Sequence, residues 1–560
     1  MNLFDAIFTH DPSSPAIRFG RRTITYRELR AQTLNMAQVI EGQGVVRGDR
    51  LALLLHDSPE FVEAFIAICS LGAIAVPINM ALPLSEQCSI LHNSGASVAF
   101  IEVDHCTTLL THAPEKLRSL KNVVLVDRFL DRIEELMETE NSSGDHFTVT
   151  EMVLNGPTVT LTPLDSLRGM SREASPEFVE PGDNDPAFIL YTSGSTGEPK
   201  GAVHCQSDIF YTNQTFCREV LRLTTQDRLF SSSRLPFAYG LGNSFSFPLL
   251  NGATTILTCA KPIPDVIARV FVDSKPTIFF AVPVVYNLLL ERHRSGKTLD
   301  CSSLRFCVSA GEALPAHLGE EWEKEFGVQL LDGIGSTEML HMFMSNHEND
   351  VRYGSSGRLL EGYEARLLDE GDLWIKGDSA ARFYWENPEA TARTFVDGWV
   401  RTGDLYRQDS DGYWFHMGRS DDCFKSSGQW VSPVEVEGVL LRHPRIARVA
   451  VVEDFDSDRL PCACAFVVMQ DVESDTGQFE QELRALAAES LPRFKQPRRY
   501  VFVNELPYTA TGKIQRFKLR TWIRSVPPAV AGGSTAQSTT ATIVDPPATA
   551  GGTDPDPTKR

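Results

Sequence analysis

Apolar residues along this chain recur as short uninterrupted runs, set between segments whose apolar positions follow a helical period. Leu51–Leu55, Val98–Val103, Val123–Val126 and Ile278–Val282 are apolar or nearly so and of strand length, the pattern of strands covered on both faces. Thr25-Tyr26-Arg27-Glu28 has the spacing of a capping box, in which the first hydroxyl and the fourth carboxylate each accept from the other's backbone N–H. The helix it opens carries Leu29, Thr33, Met36 and Ile40 on one face, and Gly42 is its expected end. Alternating strand-like and helical segments predict an α/β fold with substantially parallel sheets. No internal repeat is evident.

Composition narrows this picture. A chain of 560 residues, 42% hydrophobic and 22% charged, is a globular protein of about two to four domains. A formal charge of -20 speaks against general nucleic-acid binding, and any anionic substrate would need a local basic site. Met1–Asp5 has no basic, apolar leader pattern, and no uncharged apolar run reaches spanning length, so neither secretion nor a membrane partner is expected. The eleven cysteines are scattered. Cys462 and Cys464 lie close together in an apolar, strand-like stretch without zinc spacing, which favours core packing and a reducing, cytoplasmic location. From Pro527 to Arg560 the chain is Pro, Gly, Ala, Ser and Thr with almost no large apolar residue, so 526–560 is expected to be a disordered tail.

The strongest chemical signal is Tyr191-Thr192-Ser193-Gly194-Ser195-Thr196-Gly197-Glu198-Pro199-Lys200-Gly201, which follows the strand-like Ala187–Leu190. Its glycines let backbone approach a ligand, and its hydroxyls and lysine suit phosphate oxygens. A flexible surface loop is the bland alternative, made less attractive by the buried strand that leads directly into it. Lys200 follows a proline and precedes no Ser or Thr, so this is not a Walker-type loop. No Gly-x-Ser-x-Gly nucleophile elbow is present in it either.

Further motifs follow in order: Ser309-Ala310-Gly311-Glu312, Asp332-Gly333-Ile334-Gly335-Ser336-Thr337-Glu338, Arg401-Thr402-Gly403-Asp404-Leu405, Gly418-Arg419-Ser420-Asp421, Lys425–Trp430, and Thr509-Ala510-Thr511-Gly512-Lys513-Ile514. Together with the loop they resemble the adenylate-forming superfamily of acyl-CoA synthetases, peptide-synthetase adenylation domains and luciferases, from about Thr23 to Arg520. The resemblance implies ATP, coenzyme A and Mg2+ as cofactors. It places Thr192, Ser193, Gly194, Ser195, Thr196, Gly197, Lys200 and Thr337 on phosphate, and Thr192 and Glu338 on magnesium. Ala310, Gly311 and Glu312 are expected against adenine, with Asp332, Gly333, Ile334, Gly335 and Ser336 lying along the adenylate. Asp404 is expected on the ribose hydroxyls and Arg419 on the nucleotide. Asp421 is the expected interdomain hinge, and Lys425, Gly428 and Trp430 the expected lining of a pantetheine tunnel. Lys513 matches the adenylation lysine, a cation where two anions must meet. The implied fold is a large N-terminal domain of layered α/β subdomains (1–419) and a small mobile C-terminal α/β domain (420–525).

Phe237-Ala238-Tyr239-Gly240-Leu241-Gly242-Asn243 and His341 resemble the benzoate-CoA ligase branch, including hydroxy- and aminobenzoate ligases. There, Phe237, Ala238, Tyr239, Gly240, Gly311, Gly333, Gly335 and His341 would bound a short, flat pocket for an aryl carboxylate. Pro236 departs from the bulkier apolar residue common in relatives. The implied activity is conversion of an aromatic acid to acyl-AMP and then to aryl-CoA, with Lys513, Lys200, Thr337, Glu338 and Lys425 as catalytic residues. The resemblance leaves open an acyl carrier protein as the acceptor, a luciferase-like oxygenase, an inactive ligand sensor, and homodimerisation.

Overall fold

The computed structural model describes residues 2–127, 150–153, 158–169, 175–193, 199–456, 458–470, 476–508 and 514–525. The tail 526–560 and the segment holding Lys513 lie outside them. The capping box is formed as spaced: the Thr25 side chain accepts from the Glu28 N–H and the Glu28 carboxylate from the Thr25 N–H, opening the helix Tyr26–Gly42. Gly42 is the last helical residue, and the left-handed turn follows at Gly44 (φ +74°). The four apolar runs become the strands Arg50–Leu54, Val98–Glu102, Asn122–Val126 and Ile278–Ala281.

The chain divides into two compact units: described residues up to Thr402 with Arg407–Phe415, and Gly403–Tyr406 with described residues from His416 onward. The larger unit holds two large sheets. One runs in the order Pro199–Cys205, Pro186–Ser193, Ile74–Pro77, Arg50–Leu54, Val98–Glu102, Asn122–Val126, Thr158–Pro163, Thr150–Val153. Its central pairings are parallel and its two outermost pairings antiparallel. The other runs Arg358–Leu359, Met342–Ser345, Gln329–Gly335, Phe306–Ser309, Ile278–Ala281, Arg228–Ser231, Thr254–Leu257, Pro15–Phe19, Arg22–Thr25. Strands of both sheets contribute to one apolar core, together with the helix Pro59–Ser70. That helix buries every residue except Glu60, so it needs cover on all sides. This is the layered α/β arrangement the sequence implies. A third, smaller sheet contains Glu364–Leu368, Asp372–Lys376, Trp399–Gln408 and Phe395–Val396, with Trp414–Arg419 paired to Trp399–Gln408.

The smaller unit has the hairpin Phe424–Ser426/Gln429–Val431 and a three-stranded sheet, Ile446–Phe455, Pro461–Met469, Arg499–Phe502. Helices Pro433–Leu440 and Thr476–Ser490 share one apolar cluster with this sheet, and Leu519 of the helix Arg516–Ser525 belongs to another. Cys462 and Cys464 are buried in the middle strand, and all eleven cysteines are free thiols.

Candidate active site

Strand Pro186–Ser193 returns antiparallel as Pro199–Cys205, and the register sets Thr192 opposite Lys200. Gly194, Ser195, Thr196 and Gly197, between the strands, lie outside the described residues. Lys200 directs its ammonium at the Tyr384 ring, 5.7 Å from the centroid. The Tyr384 hydroxyl donates to Glu338 at 2.6 Å. Tyr384 is fastened to the lysine strand by a bridge to Ala202, and the next residue, Trp385, donates its N–H to the Gly201 carbonyl at 2.7 Å. One tyrosine therefore gathers the basic and acidic members of two separate motifs. Sequence reasoning missed it, because Arg382-Phe383-Tyr384-Trp385 matches no motif and reads as ordinary aromatic packing.

The segment after strand Gln329–Gly335 is a tight turn pinned by backbone bonds. The Thr337 carbonyl accepts from the Leu340 N–H at 3.1 Å and from His204 Nε2 at 2.8 Å. The Glu338 carbonyl accepts from the Ala381 N–H at 2.7 Å, and Ser336 Oγ accepts from the Met339 N–H at 3.2 Å. Gly333, Ile334 and Gly335 pair antiparallel with Met342–Ser345. A Cβ on Gly335 would stand 2.4 Å from the His341 carbonyl oxygen, so the pairing itself demands glycine there. Asp332 is buried and accepts from the Leu314 N–H at 3.4 Å; burial holds its carboxyl well above the usual carboxylate range. Ser309 is the parallel-strand partner of Asp332, Ala310 after it is buried, and Gly311 takes a left-handed backbone (φ +91°) next to Glu312.

The aromatic segment lies against the same strand edges. Phe237 precedes the short helix Ala238–Leu241, and the Tyr239 hydroxyl donates to the Val308 carbonyl at 3.0 Å. His341 is buried, with its ring 4.8 Å from Phe216, 4.7 Å from Phe247 and 5.6 Å from Tyr239. Its Nε2 donates to Asn243 Oδ1 at 3.2 Å, and burial pushes its pKa down to about 3, so the ring is neutral. Two π-helical segments, Asn213–Leu221 and Gly242–Ser246, carry Phe216 and Asn243 to this histidine. Gly240 is packed on backbone: an added Cβ would fall 2.0 Å from the Arg234 carbonyl oxygen.

Within the smaller unit, Asp404 Oδ1 accepts from Arg419 at 3.1 Å and lies 3.4 Å from His416 Nε2. Burial raises the Asp404 pKa, but Arg419 and His416 outweigh it and keep the carboxyl below its ordinary value. The Asp421 carbonyl accepts from Arg520 at 3.0 Å, which also pairs with Asp422 at 2.8 Å. Lys425 and Trp430 are cross-strand partners, the ammonium 5.0 Å above the indole. Gly428 sits in the turn between them with φ +76° and nothing within 4 Å of an added Cβ, so local backbone geometry requires the glycine.

Two family patterns match: "AMP-binding enzyme" over residues 4–385 and "AMP-binding enzyme C-terminal domain" over 435–513. The chain belongs to the AMP-binding enzyme family. This AMP-binding enzyme is 37% identical to a benzoate–CoA ligase of Thauera aromatica over 85% of its own length and 86% of the relative. Among solved structures it is similar to the anthranilate CoA ligase AuaEII in complex with anthranoyl-AMP, with TM-score 0.82, 33% identity, and 93% and 97% of the two chains covered. It is also similar to a benzoate CoA ligase from Burkholderia xenovorans LB400, with TM-score 0.77, 34% identity, and 93% and 100% covered.

Members of this family use ATP with magnesium, and the donor chemistry here fits that ion. Glu338 would offer one carboxylate and Thr192 one hydroxyl, both hard oxygen donors. So small a protein share suits a cation that keeps waters and arrives on nucleotide phosphates. Tyr384 occupies one Glu338 oxygen and thereby fixes the carboxylate's rotation.

Proposed function

We propose that this enzyme converts an aromatic carboxylate, benzoate or a hydroxy- or aminobenzoate, to its coenzyme A thioester through an acyl-adenylate. In the first step a carboxylate oxygen attacks the α-phosphorus of ATP and pyrophosphate leaves. Both reactants are anions, so the step needs cations and donors at the phosphates. Lys200, Thr337 and Lys513 take that role, and Thr192 and Glu338 would hold a magnesium ion that, when bound, would offset charge on the phosphates. Asp404 takes the ribose and Arg419 the nucleotide. In the second step the coenzyme A thiolate attacks the acyl carbonyl carbon and AMP leaves. Between the two steps the small domain, 420–525, swings about Asp421, withdrawing Lys513 and bringing Lys425, Gly428 and Trp430 to the thiol's path.

The observation that carries this reading is the meeting of Lys200 and Glu338 on Tyr384 in the same unit as the wall of Tyr239, Phe216, Phe247 and neutral His341. An uncharged aromatic wall favours a flat aryl ring. The relatives named as benzoate and anthranilate CoA ligases support the same substrate class. Free coenzyme A is the acceptor we favour, and a cytoplasmic setting supplies it. The test is AMP release over benzoate and its hydroxy, amino and halo derivatives, with coenzyme A, with a phosphopantetheinyl carrier protein, and with neither. Release that needs an aryl acid and coenzyme A is expected. Turnover with the carrier protein but not coenzyme A would replace the acceptor, and no aryl acid-dependent turnover would refute the reading.

A further inference from the structure

His204 lies in the interior of strand Pro199–Cys205, four residues past Lys200, and both of its ring nitrogens are engaged. Nε2 is 2.8 Å from the Thr337 carbonyl oxygen, which can only accept, so Nε2 carries a proton. Nδ1 is 2.8 Å from Asp208 Oδ2. That carboxylate also accepts from the Cys205 N–H at 3.1 Å and from Arg382 Nη2 at 3.1 Å, so it faces donors on several sides. His204 and Asp208 are fully buried, and Phe188 stacks on the imidazole at 5.3 Å with 17° between planes. The chain of contacts therefore runs from Arg382 through Asp208 and His204 to the backbone of Thr337. It ends on the turn that carries the Thr337 hydroxyl and the Glu338 carboxylate on adjacent residues.

The geometry points to His204 as a positioning residue for adenylation: anchored by Asp208 and Arg382, it holds the Thr337 carbonyl and so sets where the Thr337 hydroxyl meets the phosphate. This rests on the proposed adenylating function. Its bond to Asp208 keeps the ring from rotating, and the strand that carries it also carries Lys200. Lysine, hydroxyl and carboxylate are thus referenced to one rigid element. A histidine serving merely to fill the core would be as well placed with either nitrogen unpaired from Thr337.

Two amide replacements separate these roles. Gln reaches the position of Nε2 and keeps a donor for Thr337, whereas Asn reaches that of Nδ1 and keeps a partner for Asp208. ATP–pyrophosphate exchange with benzoate gives kcat, and KM for ATP and for benzoate, for wild type, His204→Gln and His204→Asn, with thermal midpoints alongside. Misplacement of a reacting group by about 1 Å costs about 100-fold, so His204→Asn is expected to lose about 100-fold in kcat with KM for benzoate unchanged. His204→Gln should retain kcat within about fivefold at a similar thermal midpoint, since it keeps the bond that matters here. In a Thr337→Val background the His204→Asn factor should shrink to under about threefold, the signature of residues acting as one unit. His204→Leu, which brings no polar atom of its own and leaves Asp208 its bonds from Cys205 and Arg382, repeats the comparison if the Asn variant does not fold. Losses that follow the thermal midpoints, or equal factors in both backgrounds, would overturn the assignment. Absence of exchange in the wild type would instead remove the adenylating function on which it rests, and the assignment with it.

Discussion

Replacing Gly242 by alanine tests the acyl wall with a single methyl group. Gly242 has helical dihedrals (φ -61°, ψ -56°), so alanine meets no backbone strain and any effect is steric. The added Cβ would stand 2.4 Å from His341 Cδ2, 2.8 Å from its Nε2 and 3.0 Å from the Phe247 ring. Ordinary contact needs about 3.4 Å or more, so the imidazole must retreat by about 1 Å in a filled space. Overpacking of that kind costs about 1–3 kcal/mol. Retreat also breaks the 3.2 Å bond to Asn243, leaving buried polar atoms unmatched at about 1–3 kcal/mol. Alanine's better helix propensity returns about 1 kcal/mol, too little to reverse the sign. Net destabilisation of the larger unit is therefore roughly 3 kcal/mol, read as a lower urea midpoint in the transition that reports that unit. Kinetically, KM for aryl acids should rise and their ranking change, because a displaced His341 moves the wall on which Tyr239, Phe216 and Phe247 pack. KM for ATP should stay within about twofold. If ATP affinity falls as far as acid affinity, the π-helical segment serves the nucleotide and the pocket assignment is wrong. A variant as stable as the parent would refute the packing argument.

Three further outcomes are expected. His341 is neutral in the fold with a pKa of about 3 against 6.5 when exposed, so its contribution is complete above pH 6.5 and is lost as pH falls toward 3. His341→Phe should remove a stability slope of about 1.4 kcal/mol per pH unit below pH 6, read from urea midpoints at pH 7, 6 and 5; parallel slopes for both proteins would contradict it. Tyr384→Phe keeps the ring facing Lys200 but frees Glu338, so the magnesium concentration for half-maximal exchange should rise about tenfold with KM for benzoate unchanged, and no shift would dissociate Tyr384 from the metal ligand. Lys513→Ala should nearly abolish acyl-AMP formation while converting supplied acyl-AMP and coenzyme A to thioester, and equal loss of both steps would deny the division of labour.

Local chemistry made much of this protein legible without coordinates. Strands buried on both faces must be apolar throughout, so Leu51–Leu55 and Ile278–Val282 announced themselves, as did the capping box at Thr25, whose partners are three residues apart. The family was legible because its signature sets glycines, hydroxyls and a lysine at neighbouring positions of one loop. Contacts between distant segments were not. Tyr384 joins Lys200 to Glu338, and His204 reaches Thr337 across the fold, but in sequence one is an aromatic among aromatics and the other a polar residue inside an apolar strand. Gly240 and Gly335 were expected to bound the acyl pocket, but only the assembled structure shows that neighbouring backbone forbids a side chain there, as the His341 ring does at Gly242. The π-helical turns that present Phe216 and Asn243 to His341 leave no periodic trace, since a single wide turn shifts the helical face by one residue within an otherwise ordinary pattern. Apolar periodicity states which face of an element is buried. Which other element covers that face is settled by strand order and by close packing of side chains far apart in the chain, and those exist only once the sheets have assembled.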